Sequence, residues 1–135
     1  MCIRDRASGV APRPAACAAD SSTSTTDPSP KTKPSRSETR AIRTAFGAAA
    51  DGLAVSSPKS MVGHLIGAAG ALGLMVCTLA VRDGVVPPTI NLDTPDPECD
   101  LDYVPKAARS LPVRTAMTNA FGFGGQNCVA VLSAV

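Results

Sequence analysis

From Met61 to Val81 the chain runs for 21 residues, MVGHLIGAAGALGLMVCTLAV, without one formal charge. At 1.5 Å per residue such a run makes a helix roughly 30 Å long, which either crosses a bilayer or lies in a protein core. Gly63 and Gly67 even have the GxxxG spacing that lets membrane helices approach closely. Against a membrane, the run holds four glycines, carries a histidine near its start, and sits among stretches that read as sheet strands. A core helix of an α/β domain is the preferred reading, and a single-pass membrane segment at 61–81 is its rival. In a core helix Gly63, Gly67 and Gly70 share one stripe. Each costs about 1 kcal/mol of helix propensity relative to alanine, so the stripe predicts something packed tightly against it.

His64 is the only histidine in the chain. In the first turn of that helix, unpaired N–H groups and the helix dipole disfavour an imidazolium, leaving a neutral ring able to donate one hydrogen bond. A buried structural histidine fits the same position, and spacing alone does not choose between them. Lys59, just upstream, supplies either a fixed positive charge or a solvated surface lysine. NAFGFGGQN, Asn119 to Asn127, raises a second site. There Phe121 and Phe123 are each followed by glycine, and Gly122, Gly124 and Gly125 can expose backbone N–H groups to a ligand oxygen. A plain glycine-rich turn between strands remains the alternative.

Around these stretches, SETRAIRTAFG reads as a short helix capped by Ser37, with Ala41, Ile42, Ala45 and Phe46 on its apolar face and Gly47 as its stop. LAVSS reads as a brief buried strand, TPDPECDLDYVP as an acidic loop, Thr115–Ala120 as a strand, and NCVAVLSAV as a strand covered on both faces. The order predicts an α/β fold with a mixed sheet. Residues 1–36 hold almost no apolar periodicity and are rich in Ser, Thr and Pro, a composition that cannot offset the entropy of ordering. We expect that segment to be disordered or an assembly artefact, with the foldable domain at 37–135.

The formal charge of +2 gives no case for a nucleic-acid partner, and Lys31, Lys33, Arg36, Arg40 and Arg43, interleaved with Pro and Ser, read as a solvated tract. Five cysteines, at 2, 17, 77, 99 and 128, lack CxxC spacing and read as reduced thiols, so no metal site is expected. The start MCIRDRASGV has no apolar segment of a signal peptide, and the expected location is cytoplasmic.

Three stretches taken together, SSPKSMVGHLIGAAGALG, RDGVVPPTINLDTPDPECDLDYVP and TNAFGFGGQN, closely resemble the C-terminal end of elongating β-ketoacyl-acyl carrier protein synthases of the synthase II type. The resemblance covers about Ser37 to Val135. It implies the last part of a thiolase-like fold, incomplete here, in which a buried glycine-rich helix lies against a mixed β-sheet. It also implies an acyltransferase of fatty acid biosynthesis that condenses malonyl-acyl carrier protein with an acyl thioester by decarboxylation.

By the same resemblance His64 and Lys59 match the family's KSxxGH motif and are the catalytic candidates. Phe123 is the gate over the acyl pocket and one oxyanion donor, flanked by Gly122 and Gly124. Implied partners are acyl carrier protein and, in the intact enzyme, a second copy in a homodimer, with no nucleic acid and no membrane. No cofactor is implied beyond the carrier's phosphopantetheine arm.

Three departures accompany the match. None of the five cysteines maps onto the family nucleophile. The family's other histidine falls near Asp27, where this chain has none. Gly73 stands where members often carry glutamate. The fragment is therefore expected to be inactive alone; a non-catalytic truncated interaction module is the alternative.

Overall fold

The computed structural model describes residues 2–4, 34–122 and 124–135. Its main sheet has four strands in the spatial order β2 (Leu53–Val55), β1 (Cys2–Arg4), β5 (Thr115–Phe121) and β6 (Asn127–Ser133). β1 runs antiparallel to both β2 and β5, so those two are parallel to each other across it. β5 and β6 form a hairpin paired along its whole length, from Thr115 opposite Ser133 to Phe121 opposite Asn127. A two-stranded antiparallel ribbon, β3 (Val85–Val86) with β4 (Arg109–Ser110), stands apart. Every named ladder is thus antiparallel; the expected mixed character survives only in the parallel bridges Ala54 to Asp102 and Thr89 to Pro105.

Helix α1, Arg36–Phe46, is capped by Ser35 rather than Ser37, and the Ser35 hydroxyl accepts the Glu38 N–H. Ser35 with Glu38 three residues on forms the serine–x–x–glutamate capping pair, whereas Ser37 has Arg40 at that offset. The helix buries Thr39 and Ile42 and leans Phe46 on the core, while Ala41 and Ala45 face solvent. Of the expected disordered segment 1–36, Cys2–Arg4 is the strand β1, Arg36 opens α1, and 5–33, with Lys31, Lys33 and Asp27, lie outside the described residues.

The charge-free run is not one helix. It is divided into α2 (Lys59–Val62), a 3-10 turn at Ile66–Ala68, and α3 (Ala69–Asp83). Gly63 makes the break: at φ 76° and ψ −177° it takes a backbone conformation that a side chain disfavours, and its N–H closes α2 onto the Lys59 carbonyl at 2.9 Å. The close-packed stripe accordingly starts later than expected, at Gly70, and continues through Gly73, Cys77 and Ala80 against β5. A Cβ on Gly70 would sit 3.6 Å from the Ala120 Cβ, and one on Gly73 would collide with the Thr118 hydroxyl.

The core gathers Ile42, Leu53, Val55, Cys77, Val86, Val104 and Ala116. Two burial expectations fail. Only Cys77 and Ala80 of α3 are fully buried, and β6 is covered on one face at most, where Ala130 and Leu132 are half-buried, while Val129 and Val131 on the other are open. Ile66–Asp83 is long and apolar enough to cross a membrane by length and composition, but its small-residue face is packed on β5.

Candidate active site

The first and third of the stretches singled out in the sequence meet at one end of the sheet. The turn after β2, α2, the start of α3, the last residues of β5 and the first of β6 enclose a cavity of about 370 Å³. Lys59, His64, Gly70, Asn119, Phe121 and Gly122 line it. Residues from Lys59 to Asn127, far apart in sequence, are brought together because α3 lies flat on β5 and both begin or end at the same edge.

His64 is exposed and belongs to no helix; it lies between Gly63 and the turn at Ile66. The expected first-turn dipole is therefore not what sets its state. Instead the Ile66 N–H donates to His64 Nδ1 at 3.0 Å. A nitrogen that accepts cannot carry the ring's proton, so the neutral imidazole holds it on Nε2. The bond has a conformational cost, because Ile66 sits at φ 48°, a region costly for a β-branched residue. Nothing in the sequence marks Ile66, since the strain belongs to the break at Gly63.

Lys59 opens α2, half-buried on the cavity wall. The Gly122 N–H is committed to the Gln126 carbonyl at 2.6 Å, which closes the glycine loop and removes that N–H as an oxyanion donor. Gly124 and Gly125 follow at φ 85° and 81°. Phe123, the expected gate and donor, lies outside the described residues.

Other wall residues went unmarked by motif reasoning. Asn119 places a buried Oδ1 here with no hydrogen-bond partner among the described residues. Cys128, opposite Ala120 in the hairpin, puts an exposed free thiol on the wall. Cys77, by contrast, is buried in α3, and burial pushes its thiol up, away from the reactive thiolate. Among the described residues no three His, Cys, Asp or Glu side chains gather as metal ligands.

Compared with known protein families, residues 17–93 match the beta-ketoacyl synthase, C-terminal domain, over more than half of the chain. The chain belongs to the β-ketoacyl synthase family. It is 57% identical over 98 residues to 3-oxoacyl-acyl-carrier-protein synthase 2 of Coxiella burnetii, covering 73% of this chain and 24% of that protein. Against the same enzyme of Synechocystis it is 56% identical over 90 residues, covering 67% of this chain and 22% of the relative.

Among solved structures, a type II polyketide ketosynthase in complex with its acyl carrier protein and bound to a hexaketide superimposes with a TM-score of 0.69. The match is 43% identical and covers 73% of this chain and 24% of that one. This β-ketoacyl synthase chain thus spans about a quarter of the length of the relatives it matches. The family match starts at residue 17, ahead of the boundary at Ser37 at which the motif resemblance ends.

Proposed function

We propose that this β-ketoacyl synthase domain contributes the decarboxylation half of a condensing site that extends an acyl chain by two carbons. The observation that carries it is the cavity where Lys59 and the glycine loop meet His64, whose Nδ1 is occupied by Ile66 so that Nε2–H is the free donor. In the reaction the carboxylate of a malonyl thioester leaves as carbon dioxide, and the C–C bonding electrons form an enolate. Its oxygen takes a hydrogen bond from His64 Nε2–H, and Lys59 adds positive charge to the same wall. The enolate carbon then attacks an acyl thioester carbonyl, and the cysteine thiolate that carried the acyl group departs.

That cysteine belongs to the family's preceding region and the second histidine falls near Asp27, where this chain has none, so the resemblance assigns neither to a residue here. Malonyl and acyl groups would arrive on the phosphopantetheine arm of an acyl carrier protein, with no other cofactor, in a homodimer of the complete enzyme. The kinship to synthase 2 enzymes supports this substrate class.

The test grafts residues 37–135 onto the Coxiella burnetii synthase in place of its matching segment. The chimera is expected to condense malonyl and acyl carrier protein thioesters, and His64→Ala within it to lower the decarboxylation rate by about 100-fold or more. A dimeric, folded chimera without condensing activity, or one indifferent to His64→Ala, would overturn the proposal.

A further inference from the structure

Helix α2 has four residues and buries none of them, yet it carries Lys59 and, through the Gly63 N–H on the Lys59 carbonyl, sets where His64 begins. So short a helix has no stability of its own, because nucleation outweighs the bonds it makes. With no apolar anchor, polar ties must hold it, and these converge on the extended segment 87–90. Ser60 Oγ donates to the Ser57 carbonyl at 2.8 Å and accepts the Ile90 N–H at 3.0 Å. Thr89 Oγ1 accepts the Ser57 N–H at 3.0 Å, and Ser56 Oγ donates to the Pro87 carbonyl at 2.7 Å.

The segment is itself fixed from behind. The Thr89 N–H reaches the Val104 carbonyl at 2.9 Å, its carbonyl accepts the Lys106 N–H at 3.1 Å, and Thr89, Val86 and Val104 are fully buried. Three hydroxyls, on Ser56, Ser60 and Thr89, thus cross the junction, and that of Ser60 is the one carried by α2 itself.

We propose that Ser60 and Thr89 are positioning residues: they clamp the Lys59–His64 segment to the buried 87–90 strap and so set the geometry of the Ile66 N–H bond to His64 Nδ1. Its functional meaning rests on the condensing reading above, but its test does not require turnover. His64 is the sole histidine, so imidazole nitrogen signals of the labelled 135-residue chain, carrying Met75→Glu and Val131→Lys on its open apolar faces to keep it dissociated, belong to one residue.

At about pH 8.5, roughly two units above an ordinary imidazole pKa, nuclear magnetic resonance should show scalar coupling across the hydrogen bond between the Ile66 amide nitrogen and Nδ1. Ser60→Ala and Thr89→Val are expected to abolish that coupling and to lower hydrogen-exchange protection of the Ile66 amide by about tenfold, with the β5–β6 amide signals unmoved. Ser60→Thr and Thr89→Ser, which keep the hydroxyls, are expected to retain it. Coupling absent from the parent chain, coupling that survives both hydroxyl-free variants, loss in the hydroxyl-retaining pair as well, or loss only together with collapse of the β5–β6 signals would each overturn the clamp. An inactive chimera with the coupling intact would fault the reaction instead.

Discussion

Gly73 and Thr118 occupy one space. The Thr118 hydroxyl fills the volume any side chain at position 73 would enter, so a bare Gly73 is what lets β5 close on α3 there. Adding a methyl brings two opposed effects: about 1 kcal/mol of helix propensity gained and about 1–3 kcal/mol lost to overpacking in a tight contact. Gly73→Ala alone should therefore destabilise the chain, while in a Thr118→Ala background the same change should stabilise it. Urea unfolding of the four chains in the cycle reads the reversal, and an equal effect in both backgrounds would refute the contact. The sequence revealed a glycine stripe but placed its start about two turns early, at Gly63 instead of Gly70. Counting a 3.6-residue period from Gly63 runs through a backbone reversal that only the φ of Gly63 announces, and the real stripe of Gly70, Gly73, Cys77 and Ala80 mixes residue types. His64, Lys59 and the glycine loop were legible because motifs mark them, whereas Ile66, Asn119 and Cys128 joined the site through geometry alone.

At the scale of elements, the arginines of α1 were read as part of a solvated tract and the segment after β3 as an acidic loop, yet the two hold each other. Arg36 bonds Asp96 at 2.7 Å and Glu98 at 2.6 Å, and Arg43 bonds Asp51 and Asp100, both at 2.9 Å. Asp96, Glu98 and Asp100 lie about sixty residues from their arginines, and such partners are invisible to a composition that sees only one charge run at a time. Exposed pairs of this kind are individually weak and screened by salt. Their direction is nonetheless defined. The Arg43 hydrogen bond holds the Asp100 carboxyl below its ordinary value, and at Asp102 burial pushes upward but the bonds from Arg109 and the Val104 N–H outweigh it. A carboxyl depressed in the folded state contributes stability above its unfolded pKa of about 4 and loses it as pH falls through the folded value. Melting temperature should thus fall on acidification below about pH 4, and less steeply for Arg43→Gln or in about 1 M salt. A profile unaffected by either change would show that the pairs contribute nothing to acid stability.

Over the whole molecule, two apolar faces are left open. Leu74, Met75 and Leu79 project from the side of α3 away from the sheet, and Val129 and Val131 lie on β6, about half exposed at 54% and 52%. The α/β class and strands β2, β5 and β6 were readable because period and turn residues are local, but a run such as NCVAVLSAV records that a surface is apolar, not what covers it. The relatives are about four times as long, so three quarters of the family architecture is available to do the covering. The sheet bears the same mark: among the described residues β1 pairs with only Ala116 and Met117 of the seven-residue β5. Apolar surface of this extent without a cover drives association. The isolated 135-residue chain should therefore bind a hydrophobic dye and self-associate at micromolar concentration, and Met75→Glu with Val131→Lys should reduce both while leaving the far-ultraviolet circular dichroism unchanged. Adding the preceding three quarters of the Coxiella burnetii synthase as a separate polypeptide should quench dye binding of the parent chain more than that of the double variant, because both substitutions lie on the faces to be covered. A monomeric parent chain that takes up no dye would show that these faces are closed in solution without any partner.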